Sequence, residues 1–170
     1  MELLQDPWVV FFVRWLHIIS GIMWIGLLWY FNFVQIPSMP KIPDEQKPAI
    51  SKVIAPEALF WFRWSALSTV IWGLIQAWQL PYLDLRDGLS LGIAGGGAYA
   101  MSIGFGMWFG LIMAFNVWFI IWPNQKKALG IVEATPEAKA ASARTAMLAS
   151  RTNTMLSIPM TYAMVSVHLY

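Results

Sequence analysis

The sequence predicts an all-α protein, an integral membrane four-helix bundle with both termini on the outer, periplasmic side. Three observations lead there. Apolar residues make up 58% of the 170 positions and charged residues only 12%, whereas soluble domains carry about 25% charge. The charges collect in connecting segments and nearly vanish from four long apolar stretches. Prolines sit at the ends of the first three of these stretches, where a helix loses a backbone donor and meets a steric clash.

A helix crosses a ~30 Å hydrocarbon core with roughly 20 apolar residues. The first such stretch covers about 8–33, with Pro7 in its first turn, where proline is tolerated. Pro37 is expected to stop it, and Pro40 and Pro43 to keep the next segment irregular. The second covers about 56–80 and ends before Pro81. A short segment with Asp84, Arg86 and Asp87 follows, then the glycines Gly92 and Gly95 to Gly97. The third covers about 99–122 and ends before Pro123.

Thr135 and Pro136 read as an N-cap and first helical residue, with Glu137 well placed in the first turn. The alanine-rich run that follows predicts a surface helix over about 136–150, continuing into a fourth span over about 152–169. Pro159 should kink that span. Residues 1–170 thus read as a single transmembrane domain.

Orientation follows from the basic residues. Lys41, Lys47 and Lys52 lie in the first loop, and Lys126, Lys127, Lys139, Arg144 and Arg151 in the third. The second loop has Arg86 alone. The positive-inside rule places loops one and three in the cytoplasm. Glu2 and Asp6 stand where a secretory signal would be basic, so the first stretch reads as a retained helix. Of the eleven tryptophans, Trp8, Trp61, Trp64, Trp78 and Trp122 fit an interfacial belt; Trp24, Trp72 and Trp108 lie deeper.

Composition also excludes chemistries. Without cysteine there are no disulfides, thiolate metal sites, iron–sulfur clusters or covalent c-type haem. A net charge of +2, with no basic run among aromatics, gives no nucleic-acid site. The span interiors hold no Asp or Glu, which argues against a carboxylate proton relay.

Two histidines remain, His17 and His168. His17 lies ~14 Å below the outer edge of the first span. An imidazole at that depth serves either as a haem ligand or as a hydrogen-bonding group to a neighbouring helix. His168 lies only ~6 Å from the outer edge, so sharing one haem with His17 requires tilt or the Pro159 kink. Arg14, one turn from His17 on the same face, either pairs with a haem propionate or snorkels to the interface. Arg63 shares its depth with Asn32, Gln35, Asn116 and Asn153, which predicts a polar network between helices, or else a pocket for a quinone or substrate. Gly106 and Gly110 have the spacing for close helix approach, or for approach of a flat ring.

Four strings carry a family resemblance: HIISGIMWIGLLWYFNFVQIP from His17, APEALFWFRWSAL from Ala55, FNVWFIIWPNQKKALG from Phe115 and ASRTNTMLSIPM from Ala149. In colinear order they resemble the membrane domain of bacterial membrane-bound urate oxidases. The first also resembles the opening helix of small haem-binding membrane families, in which a histidine precedes a Gly-x-x-Trp-x-Gly pattern. His17 holds that position. The chain departs from the urate oxidases in having a shorter membrane region and no cytochrome c domain.

The resemblance implies a b-type haem with His17 as an axial ligand, Arg14 near a propionate and His168 as the less secure second ligand. It also implies the bacterial inner membrane. The function expected is a membrane subunit that relays electrons within a larger complex, in contact with lipid, other subunits and a separate cytochrome or quinone. The alternatives are a non-catalytic accessory subunit and a urate-oxidase-like oxidoreductase domain.

Overall fold

A computed structural model describes residues 5–79, 85–94 and 97–166. In chain order its helices are α1, Pro7–Lys41, and α2, Lys47–Gln79; the short α3, Leu85–Leu89; α4, Gly97–Ala128; and α5, Pro136–Ser166. No strand occurs among the described residues.

Local chemistry accounts for the helix starts. The Asp6 carboxylate accepts from the Trp8 N–H at 2.8 Å, with Pro7 as the first helical residue. Thr135 Oγ1 accepts from the Ala138 N–H at 3.3 Å, as its reading as an N-cap requires. The backbone N–H of Glu137 and the Thr135 hydroxyl hold the Glu137 carboxyl below its ordinary range.

The prolines expected to end the first and third helices do not end them. In α1 the π-helical turn Tyr30–Gln35 ends on an Ile36 N–H that bonds the Phe31 carbonyl, five residues back. Pro37 follows. In α4 the turn Asn116–Ile121 ends in the same way, Trp122 N–H to Val117 carbonyl, and Pro123 follows. In α2 the turn Ile50–Ile54 ends on Ala55 N–H to Ile50 carbonyl, and Pro56 follows. A proline ring inside an α-helix collides with the carbonyl four residues back. Widening the preceding turn by one residue moves that carbonyl aside, and the helix continues.

Side-chain amides reach carbonyls in and around these wider turns. Asn32 Nδ2 donates to the Leu28 carbonyl at 2.9 Å, Asn124 Nδ2 to Ile120 at 2.8 Å and Asn153 Nδ2 to Met113 at 2.9 Å.

The long helices pack as two pairs, α1 with α2 and α4 with α5, which meet along α1–α5 and α2–α4. The core between them holds Trp24, Leu28, Phe62, Met113, Val117 and Ile121. Large apolar side chains also face outward, among them Phe11, Ile22, Phe33, Phe119 and Ile158. That distribution suits a hydrocarbon surrounding rather than water.

Helices α1, α2 and α4 are each long and apolar enough to cross a membrane. The expected surface helix and fourth span are one continuous helix, α5, which is not in that class among the described residues. Its packed face is small and polar, with Ser142, Ala146, Ser150, Asn153, Thr154 and Ser157 buried. Its open face carries Met155, Ile158, Tyr162 and Val165.

Glycines set the closest approaches. Gly106 faces Met164 and Gly110 faces Met160, so the Gly-x-x-x-Gly pair lies on the α4–α5 seam. Gly104 lies against the backbone carbonyl of Gly88 in α3, where a side chain has no room. Gly104→Ala should therefore cost ~1–3 kcal/mol through overpacking. Circular dichroism melts in detergent should show a lower midpoint for it. Gly110→Ala, whose added carbon would sit an ordinary 3.7 Å from Met160 Sδ, should melt close to wild type.

Candidate functional site

His17 projects from α1 onto α2, and its environment is built by one turn of that helix. Its Nδ1 lies 2.9 Å from the Thr69 carbonyl oxygen. A carbonyl can only accept, so Nδ1 carries the hydrogen, and in the neutral ring Nε2 then keeps its lone pair. Gly73, one turn after Thr69, makes room for the ring: a Cβ there would lie 2.9 Å from His17 Cε1. Ser20 and Ser68 share a hydrogen bond of 2.8 Å one turn deeper on the same seam.

Hydrogen bonding to a neighbouring helix, one of the two roles the sequence allows His17, is therefore present. It does not compete with ligation. A backbone carbonyl on Nδ1–H orients the imidazole and raises the basicity of Nε2, as in metal-ligating histidines generally. The donor chemistry thus suits one axial position of a haem iron. Arg14 lies one turn away, half-buried, with no hydrogen bond or ion pair among the described residues. His168 lies outside the described residues. Among them no three His, Asp or Glu side chains gather as a metal site.

Arg63 does not join the predicted network. Its guanidinium lies over the Trp122 indole, 3.4 Å from Cζ to the ring centroid, and Nη1 donates to the Leu59 carbonyl at 3.0 Å. The network forms without it. Asn116 Nδ2 donates to Asn153 Oδ1 at 2.8 Å, Asn32 Nδ2 to Ser150 Oγ at 2.8 Å and Trp29 Nε1 to Ser157 Oγ at 2.8 Å. These bonds tie α5 to α4 and α1. Gln35 Oε1, Asn32 Oδ1, Trp24 Nε1 and Trp118 Nε1 are buried without a partner. Trp64 packs edge-on against Trp118, with ring centroids 5.5 Å apart, and extends the α2–α4 seam.

A groove of about 190 Å³ runs along one face of α2, lined by Trp64, Leu67, Ser68, Ile71 and Trp72. It is apolar and open. Sequence reasoning missed Thr69, Gly73 and Trp122 as the partners of His17 and Arg63. The available signal was Gly73, a glycine inside a helix, which usually has a packing reason.

The family described as Urate oxidase N-terminal matches residues 92–170. The match covers α4, α5 and the position of His168, and it stops short of His17 and Arg63. It supports a likeness to urate oxidases. No curated protein and no solved structure matches the chain.

The seam around His17 makes a direct prediction. Gly73→Ala should push the imidazole off the Thr69 carbonyl and cost ~1–3 kcal/mol. Nitrogen-15 NMR of labelled histidine should show the Nδ1–H tautomer at His17 in wild type and its loss in the variant. Gly21→Ala, whose Cβ would meet Thr69 Cγ2 at 3.8 Å on the same seam, should leave the tautomer in place.

Proposed function

We propose that the chain is a membrane subunit that binds a non-covalent b-type haem and relays electrons within a larger membrane complex. The observation that carries this reading is His17: an imidazole set into a helix long and apolar enough to cross a membrane, oriented through Nδ1 by a backbone carbonyl, with Nε2 left for a ligand. Haem supplies a one-electron store held at a fixed depth. His17 would provide an axial nitrogen. Arg14, half-buried on the same face of α1, would receive a propionate. His168 would be the candidate second ligand. A separate cytochrome or quinone would take or deliver the electron.

In the same reading the chain crosses the bacterial inner membrane four times as a four-helix bundle. The stripe Met155, Ile158, Tyr162 and Val165 would give α5 a lipid face, and its serine and asparagine face would be met by α1 and α4. Both termini would then lie outside, opposite the basic loops.

A second reading follows from the match over residues 92–170: a membrane domain of urate-oxidase-like type that contributes to an oxidoreductase. Without haem, the accessory-subunit role would remain.

Two experiments test the proposal. Protein purified in mild detergent should show a Soret band, and acidic acetone should extract the pigment, since no cysteine tethers it. His17→Ala should abolish or markedly alter that band. A colourless wild type, or an unchanged spectrum in His17→Ala, refutes the haem assignment. For topology, cysteines placed at Lys47 and Lys139 should resist an impermeant thiol reagent in intact cells. Labelling of both reverses the orientation.

A further inference from the structure

Arg63 and Lys126 point at a second site, independent of the haem reading. Arg63 is buried, yet no carboxylate pairs with it among the described residues. A buried charge without a partner is costly, and cation–π contact with Trp122 offsets part of that cost. Lys126 Nζ approaches the same indole, 5.7 Å from its centroid. Two cations thus share one tryptophan ring, with no ion pair to either among the described residues. Their mutual repulsion favours a negative group between or beside them.

Position narrows the chemistry. The bond from Arg63 Nη1 to the Leu59 carbonyl turns the guanidinium toward the end of α2 that carries Lys47 and Lys52. Lys126 lies one turn beyond Trp122 toward the matching end of α4. On the orientation proposed above, both cations lie toward the strongly basic side, where long cationic side chains can reach the headgroups. The apolar groove described above begins at Trp64, the residue after Arg63, and runs to Trp72, away from that interface. Polar anchor and apolar groove follow each other along one helix in the order of a phospholipid, headgroup first and acyl chain after. A free phosphate ion would use the first and leave the second without a role.

We propose that Arg63, Trp122 and Lys126 bind the phosphate of an anionic phospholipid, with an acyl chain laid in the Trp64–Trp72 groove. A choline headgroup would bring a cation of its own to two others, so zwitterionic lipid is disfavoured.

Native mass spectrometry of the delipidated protein tests this, with phosphatidylglycerol, phosphatidylcholine or inorganic phosphate added in separate arms. Phosphatidylglycerol should be retained preferentially as a single adduct. Arg63→Gln and Lys126→Gln should each weaken it about fivefold, the worth of one basic residue near an anionic headgroup. Lys139→Gln, outside the site, should not. Lys126→Gln changes a partly exposed side chain and keeps the test valid if Arg63→Gln fails to fold. Equal retention of phosphatidylcholine, or an undiminished adduct in Lys126→Gln, overturns the proposal. So does inorganic phosphate that displaces the lipid at equal concentration.

Discussion

In a hydrocarbon solvent every backbone N–H and C=O must find its partner inside the protein, and proline breaks that rule wherever it falls in a helix interior. All four long helices nevertheless pass through a proline; α1, α2 and α4 do so by way of a hydrogen bond to the carbonyl five residues back, while α5 carries Pro159 within an unbroken α-helix. Much of the polar chemistry inside the protein follows from this. Asn32 and Asn124 reach carbonyls in or next to the wider turns, and Asn153 reaches Met113 across the α4–α5 seam. These asparagines are structural before they are anything else: all three carry donors to the backbone, and Asn32 and Asn153 also link one helix to the next.

The two candidate sites hang on α2, about 15 Å apart along its axis by the rise between Arg63 and Gly73. One seam, toward α1, is polar and fine-grained, built from a serine pair, a backbone carbonyl and a glycine gap around His17. The other, toward α4, is aromatic, with Trp122 under Arg63 and Trp118 against Trp64. A single helix can present both because residues three and four apart share a face while neighbours diverge.

How much of this was legible in the sequence depends on the kind of signal. The apolar lengths of α1, α2 and α4 were legible because hydropathy sums over many residues and tolerates local exceptions. Their ends were not. Pro37 and Pro123 are local stop signs only while the turn before them is α-helical, and nothing in Phe33 or Phe119 announces the wider turn. Depth arguments grouped Arg63 with Asn32 and Asn116, but depth says nothing of angle around the helix, and the guanidinium turned to Trp122 instead. His17 was singled out because an ionisable group within a span is rarely idle. Its partner Thr69 was hidden, because a backbone carbonyl has no letter in the sequence. The spacing of Gly106 and Gly110 allowed either a close helix approach or a flat ring beside them, and it is Met164 and Met160 of α5 that lie against them.

The low hydropathy of α5 bears on how the protein is made. A segment whose buried face is serine and asparagine partitions poorly into lipid by itself, because each polar side chain adds to the cost of leaving water. Its acceptors and donors are supplied by Met113 and Asn116 of α4 and by Trp29 and Asn32 of α1. All four precede α5 in the chain, so they are already synthesised when it emerges from the ribosome. On the four-crossing reading, the last helix enters the membrane as a guest of the first three, and the order of synthesis is part of what makes its insertion affordable.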